Sequence, residues 1–200
     1  MTKVKICGLS RLEDIDIVNS ALPDYIGFVF APSRRRIDEI TANTLKQRLD
    51  PRIKAVGVFV NQDIETIANL HNLGIIDLIQ LHGDEDMNYI TKLKKSCRCH
   101  IIKAVGIKDT LPLYPGNADY LLFDTLSKHR GGTGKTFDWR LLNDFSGPPF
   151  FLAGGLITRN VLEAVKNIAP YCVDVSSGVE ANGTKDADMI HEFIRIVRQS

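Results

Sequence analysis

An α/β fold, closed into a single (β/α)8 barrel, is predicted by three observations. Eight short apolar runs alternate with helical segments along the chain, and 200 residues divided among eight such units leave 25 for each, without an internal linker. The run at 25–30 shows no polar-apolar alternation, as a strand buried on both faces should not. Finally, residues 150–180, FFLAGGLITRNVLEAVKNIAPYCVDVSSGVE, set two glycine-bearing turns at the ends of two adjacent runs late in the chain, where barrels of this kind bind phosphate after strands seven and eight. Residues 1–200 are therefore expected to form one barrel domain. An open flavodoxin-like sheet with fewer strands is the alternative, and it leaves several runs without a place.

The elements follow in order. Residues 4–7 form the first strand, ending at Cys7, and Ser10-Arg11-Leu12-Glu13 reads as a capping box opening a helix through Ile15, Val18 and Asn19. Residues 25–30 form the second strand; past Pro32 and Arg34-Arg35-Arg36 a helix is expected around 41–49. Residues 55–60 lead to a helix at 63–72, and residues 75–81, past His82-Gly83-Asp84, to one at 85–95. Residues 100–105 are the fifth strand. The next crossover holds Pro112, Pro115 and Gly116 and is too short and broken for a full helix, so a degenerate fifth helix is expected. Residues 120–124 form the sixth strand, and a polar loop at 125–136 precedes a short helix at 139–144. Residues 150–153 and 173–175 complete the barrel, joined by a helix that Thr158 caps and that shows Val161, Leu162 and Val165 on one face. The last helix, 186–198, buries Ala187, Ile190, Ile194 and Val197.

Composition narrows the function. With 44% hydrophobic residues the chain can bury a substantial core, and 25 basic against 24 acidic residues suggest neither a nucleic-acid nor an anionic-membrane partner. A small-molecule ligand is expected. The opening Met-Thr-Lys-Val-Lys lacks an apolar signal core and no segment reaches a membrane-spanning length, so a cytoplasmic location is expected. The four cysteines fit reduced thiols. Cys97-Arg98-Cys99-His100 lacks the spacing and the second pair that a zinc site requires, so no metal is expected.

In a barrel the residues just after the strands share one face, which would gather Cys7, Arg35, Asn61, His82, Asp124, Gly154-Gly155 and Ser176-Ser177-Gly178. The glycine turns read as a phosphate cup, because glycine admits close backbone approach and successive N–H groups form an anion site. Cys7 could serve as base or nucleophile beside a basic neighbour such as Lys5, or be a buried structural cysteine. Asp124 closes a buried strand, a costly place for a carboxylate unless it is used or paired, for instance with Lys103. Arg35 could grip a carboxylate by bidentate hydrogen bonds, or belong to a solvated basic loop. His82 could ligate a metal, but the neighbouring strand ends offer no second histidine, which favours a metal-free, substrate-binding role. Gly131-Gly132-Thr133-Gly134-Lys135-Thr136 departs from the P-loop pattern, which would need a glycine where His129 stands, and suits a substrate cover hinged at its glycines.

Together KICGL at 5–9, GFVF at 27–30, VGVFVN at 56–61, QLHGDE at 80–85, LLFDT at 121–125, GGTGKTFDW at 131–139, LAGGL at 152–156 and VDVSSGVE at 173–180 resemble the phosphoribosylanthranilate isomerase family over the whole chain. The resemblance implies a TIM barrel that catalyses, without cofactor, the Amadori rearrangement of N-(5-phosphoribosyl)anthranilate to the carboxyphenylamino-deoxyribulose phosphate in tryptophan biosynthesis. It implies Cys7 as general base and Asp124 as general acid. It also implies that Arg35 meets the anthranilate carboxylate, with Arg34 and Arg36 as the neighbouring registers. His82, Gly154, Gly155, Ser177 and Gly178 are expected to bind substrate, and the assembly is expected to be a monomer or homodimer. Two rivals stand beside this reading. A histidine-pathway isomerase would need a second phosphate cup, which the ends of strands three and four do not suggest, and a non-catalytic sugar-phosphate-binding barrel would need neither Cys7 nor Asp124.

Overall fold

The computed structural model describes residues 1–112, 114, 116–125 and 136–200. Eight parallel strands, β1 (Lys3–Cys7), β2 (Tyr25–Val29), β3 (Lys54–Phe59), β4 (Leu78–Leu81), β5 (His100–Ile107), β6 (Tyr120–Thr125), β7 (Phe150–Leu152) and β8 (Cys172–Val175), form a closed barrel in chain order. The ring seals where Lys5 of β1 aligns with Asp174 of β8. Outside it lie α1 (Leu12–Ala21), α2 (Glu39–Arg48), α3 (Ile64–Asn72), α4 (Met87–Ser96), α5 (Val161–Ile168) and α6 (Ala187–Arg198). Between β5 and β6 the described residues hold no helix, in keeping with the two prolines of that crossover, and β6 is followed by a 3-10 turn at Trp139–Leu142. After β8 a 3-10 turn (Ser177–Val179) runs into a two-stranded hairpin, β9 (Glu180–Ala181) and β10 (Thr184–Lys185). Among the described residues no helix is long and apolar enough to cross a membrane.

Aspartates start most of the helices. Asp38, Asp63, Asp86 and Asp186 each accept a hydrogen bond from the backbone N–H three residues on, satisfying a donor that the first helical turn leaves open. Three local expectations are corrected. At α1 the helix starts one residue later than the capping box requires, so Asp14, not Glu13, reaches back to the amides of Ser10 and Arg11. At α5 Asn160, not Thr158, occupies the cap position, and this register buries Val161, Ala164 and Val165 while Leu162 turns outward. In α6 the buried stripe is Ile190, Phe193, Ile194 and Val197, with Ala187 exposed at the first turn.

The core has two shells, because alternate strand residues face opposite sides of the sheet. Ile6, Phe28, Ile79, Leu121, Phe123 and Val173 face outward onto Ile15, Ile67, Leu93 and Ile194 of the helices. Inside the barrel, Tyr25, Val56, Leu78, Ile102, Leu122, Phe151 and Cys172 pack together. Tyr120 and Tyr171 extend this cluster, so that neighbouring rings of Tyr25, Phe151, Tyr120 and Tyr171 lie 5.0 to 5.7 Å apart, with Lys3 Nζ donating to Tyr171 at 3.0 Å. This apolar filling leaves the C-terminal ends of the strands as the open face of the barrel.

Candidate active site

On that face the inward positions turn polar. Cys7 ends β1, Gln80 and His82 come from β4 and the residue after it, Asp124 from β6, and Asp174 and Ser176 from β8 and its turn. With Arg35, Gly154-Gly155 and Ser177-Gly178 they line one cavity of about 210 Å³. All the predicted site residues, Cys7, Arg35, His82, Asp124, Gly154, Gly155, Ser177 and Gly178, are thus brought together. Asn61 is not among the lining. Its side chain accepts from the Asp84 amide at 2.8 Å and joins the β3 and β4 loops to each other.

The thiol of Cys7 lies beside β2, where Gly27 is the neighbour in register. A Cβ on Gly27 would sit 2.6 Å from Cys7 Sγ, so only glycine leaves room for the thiol. Two residues earlier on the same inward face, Lys5 is fully buried and donates to Asp174 Oδ2 at 2.9 Å. Burial opposes the charge on Lys5, but Asp174 and Cys7 outweigh it and raise its pKa. Removing one partner of such a buried pair typically costs about 3–5 kcal/mol, because the other charge is stranded. Burial pushes the Cys7 thiol above its usual range, with Lys5 acting in the opposite direction. Lys5 is thus the basic neighbour expected from the sequence, although burial outweighs it.

Asp124 is partly buried, where its charge is disfavoured. Burial, reinforced by the negative charge of Asp174, pushes its pKa up to about 6. Lys103, the ion-pair partner considered from sequence, instead meets Glu85 at 3.0 Å on the outer side of the sheet. Asp124 Oδ2 stands 3.6 Å from His82 Nε2. Gln80 Nε2 lies 2.9 Å from His82 Nδ1, so the ring is held between Gln80 on one side and Asp124 on the other. Gly154, in the left-handed region at φ +83°, lets its turn pass close by: a Cβ there would lie 2.8 Å from Asp124 Oδ1 and 2.4 Å from Thr125 Oγ1.

The two late turns interlock. A Cβ on Gly178 would come within 1.9 Å of the Leu156 carbonyl oxygen, so the turn after β8 lies against the turn after β7. Beside them, Arg35 is already engaged: Nε and Nη2 donate to Glu180 Oε1 and Oε2 at 2.7 and 3.0 Å. Arg34 reaches the same carboxylate from outside the cavity, and Arg36 is exposed and does not line it. Burial opposes ionisation of Glu180, but Arg35 and Lys185 outweigh it and hold its pKa near 2.

Sequence reasoning passed over Asp174, Gln80, Gly27 and Glu180. The first carried the same signal as Asp124, an acid in a buried run, but it was hidden between two valines. Gly27 was a glycine inside a strand, a recognised mark of close approach. The glycine loop at 131–135, read as a substrate cover, lies outside the described residues.

Known proteins resemble this chain in sequence and in fold. Residues 4–196 match the family model described as N-(5'-phosphoribosyl)anthranilate (PRA) isomerase. The isomerase of that name from Endomicrobium trichonymphae is 53% identical over 199 residues, covering 99% of each chain. The crystal structure of phosphoribosyl anthranilate isomerase from Thermotoga maritima superposes over 100% of both chains with a TM-score of 0.88 at 35% identity. Another isomerase structure, a complex with reduced 1-(o-carboxyphenylamino)-1-deoxyribulose 5-phosphate, gives a TM-score of 0.83 at 34% identity, again over the full length of both chains. With its barrel and its sequence matched from end to end, this chain belongs to the N-(5'-phosphoribosyl)anthranilate isomerase family.

Proposed function

We propose that Asp124 and Cys7 divide between them the proton transfers of the reaction this tryptophan-pathway isomerase catalyses. That reaction is the Amadori rearrangement of N-(5'-phosphoribosyl)anthranilate to 1-(2-carboxyphenylamino)-1-deoxy-D-ribulose 5-phosphate. Asp124, as the acid, protonates the furanose ring oxygen and opens the ring to a Schiff base. Cys7, as thiolate, removes the proton from carbon 2, and the resulting enolamine tautomerises to the ketone. The step is redox-neutral within the substrate, since carbon 1 is reduced as carbon 2 is oxidised, so its chemistry calls on no cofactor. The observation that carries this assignment is a carboxyl with a pKa raised to about 6 facing the same cavity as a thiol.

The remaining lining suits the remaining groups of the substrate. The turns at Gly154-Gly155 and Ser177-Gly178 offer backbone N–H groups to the phosphate, and Arg35 offers a guanidinium edge to the anthranilate carboxylate. Asp174 Oδ1 and Gln80 Oε1 are buried acceptors with no hydrogen-bond partner among the described residues, and sugar hydroxyls would satisfy them. His82, whose ring stands between Gln80 and Asp124, would orient the acid. A two-phosphate substrate of the histidine-pathway type is disfavoured, because the amides of Asn61 and Gly83, which a second cup at these strand ends would need, already donate to Glu85 at 2.7 and 2.9 Å. The expected setting is cytoplasmic, as a monomer or homodimer with no nucleic-acid or membrane partner. A fluorescence assay following loss of phosphoribosylanthranilate, with the histidine-pathway substrate in parallel, tests the assignment. Cys7→Ala and Asp124→Asn should each lose on the order of a hundredfold in turnover; activity within about threefold of wild type in either would remove that residue from the mechanism.

A further inference from the structure

We infer that Glu180 is the positioning residue of the carboxylate subsite: it holds one edge of the Arg35 guanidinium so that the other edge is presented to the cavity. This rests on the reading that Arg35 receives the substrate carboxylate. An arginine has two edges that match a carboxylate, one formed by Nε and one Nη, the other by the two Nη atoms. Glu180 occupies the first, through Nε at 2.7 Å and Nη2 at 3.0 Å. The second edge keeps one proton of Nη1 and one of Nη2, a pair of parallel donors for an incoming carboxylate.

The clamp is built rather than incidental. The Glu180 side chain is only 5% exposed, and it accepts from Arg34 at 2.5 Å and Lys185 at 2.9 Å as well as from Arg35. Three cations on one carboxylate leave an excess of positive charge, and the nearby Arg11 is paired with Asp14 and does not alter it. An anionic ligand group fits that excess. The arginine stem is fixed too: a Cβ on Gly8, at φ +84°, would lie 2.4 Å from Arg35 Cδ, so the stem runs directly over the turn that follows Cys7. Across the β9–β10 hairpin Lys185 stands opposite Glu180, and it also donates to the Ser176 carbonyl at 2.9 Å, while Ser176 Oγ donates to the Cys7 carbonyl at 2.9 Å. One hydrogen-bonded chain therefore links the guanidinium, the β8 turn and the β1 terminus. It sets the spacing at which carboxylate, phosphate and reacting carbon must all be met at once, which is the condition for remote binding groups to orient a substrate.

A merely structural role for the hairpin would not depend on Arg35, and a double-mutant cycle separates the two. Steady-state constants for phosphoribosylanthranilate are measured for wild type, Arg35→Ala, Glu180→Gln and the double variant, with inorganic phosphate as a competitive inhibitor reporting on the cup. Glu180→Gln should raise KM about tenfold with kcat within about threefold and phosphate inhibition unchanged. Glu180→Asp, which keeps the charge, should lose less. In the Arg35→Ala background the Glu180→Gln change should alter KM by less than about twofold. If instead the two substitutions multiply, or if Glu180→Gln weakens phosphate as much as substrate, Glu180 does not act through Arg35 and the inference is overturned. If Glu180→Gln fails to fold, Glu180→Asp in both backgrounds decides by the same comparison. A wild-type KM in Arg35→Ala would overturn the carboxylate reading itself, and this assignment with it.

Discussion

At the scale of single residues, the two proposed proton carriers are shifted in the same direction by the same cause. Burial raises Asp124 to about 6 and pushes Cys7 above the usual thiol range. Between those values the free enzyme holds one proton of the pair, mostly on Cys7, whereas the reaction requires it on Asp124. The competent arrangement is the minor tautomer. The profile of kcat/KM should therefore rise as pH climbs through about 6, stay flat through neutrality and fall only above the usual thiol range. A profile that falls between pH 6 and pH 8 would contradict it. Cys7→Ser should remain poor at every pH reached, since a hydroxyl ionises far less readily than a thiol. The residues themselves were legible in the sequence because each ends an apolar run. Their partners were not, because Lys5 meets Asp174 across 169 positions and Arg35 meets Glu180 across 145. Only closure of the ring brings these pairs together, and nothing local marks it.

At the scale of elements, strands were read well where an apolar run meant a strand and badly where it meant packing. Ile75 and Ile76 are buried yet precede β4, which starts at Leu78; they cover the core from the α3–β4 connection. The helix starts depended on which acid caps. Four aspartates did so in the ordinary way, while the start of α1 shifted by one residue, enough to transfer the role from Glu13 to Asp14. The turn after β8 yields a sharper test. Gly178→Ala drives a methyl group into the Leu156 carbonyl, so backbone rather than side chain must yield, and the two turns must separate. Phosphate inhibition should weaken by roughly tenfold or more while the pH dependence of kcat is retained. On the neighbouring strand, Gly27→Ala should do the reverse: it meets the Cys7 thiol, so kcat should fall with phosphate inhibition unchanged. If the two variants showed the same pattern, cup and base would not be separable parts of the site.

At the scale of the whole molecule, the charged groups of the site pull folding stability in opposite directions with pH. Glu180 is held near 2 in the fold, below its unfolded value of 4.5, so its contribution is present above the unfolded value and fades as pH falls toward 2. Asp124 is the opposite case. Its folded pKa of about 6 exceeds the unfolded 3.8, so its contribution is complete below 3.8 and is lost as pH rises through 6. At pH 8 the wild-type barrel therefore carries a buried carboxylate that the unfolded chain would solvate better, a cost of about 3 kcal/mol for a shift of this size. Asp124→Asn keeps the shape and removes the charge. The variant should melt several degrees above wild type at pH 8, on the scale expected for a domain of this size, and most of the difference should be gone by pH 4, where Asp124 is neutral in the fold. Thermal unfolding of the two proteins at pH 4, 6 and 8 measures this directly. Equal stability at pH 8 would mean that Asp124 is relieved by its surroundings and is not held raised, and a gain that persists at pH 4 would assign the effect to packing and not to charge. The Lys5–Asp174 pair gives the contrast within the same cavity: Lys5→Met strands Asp174, so that variant should lose stability at pH 8, where Asp124→Asn gains it.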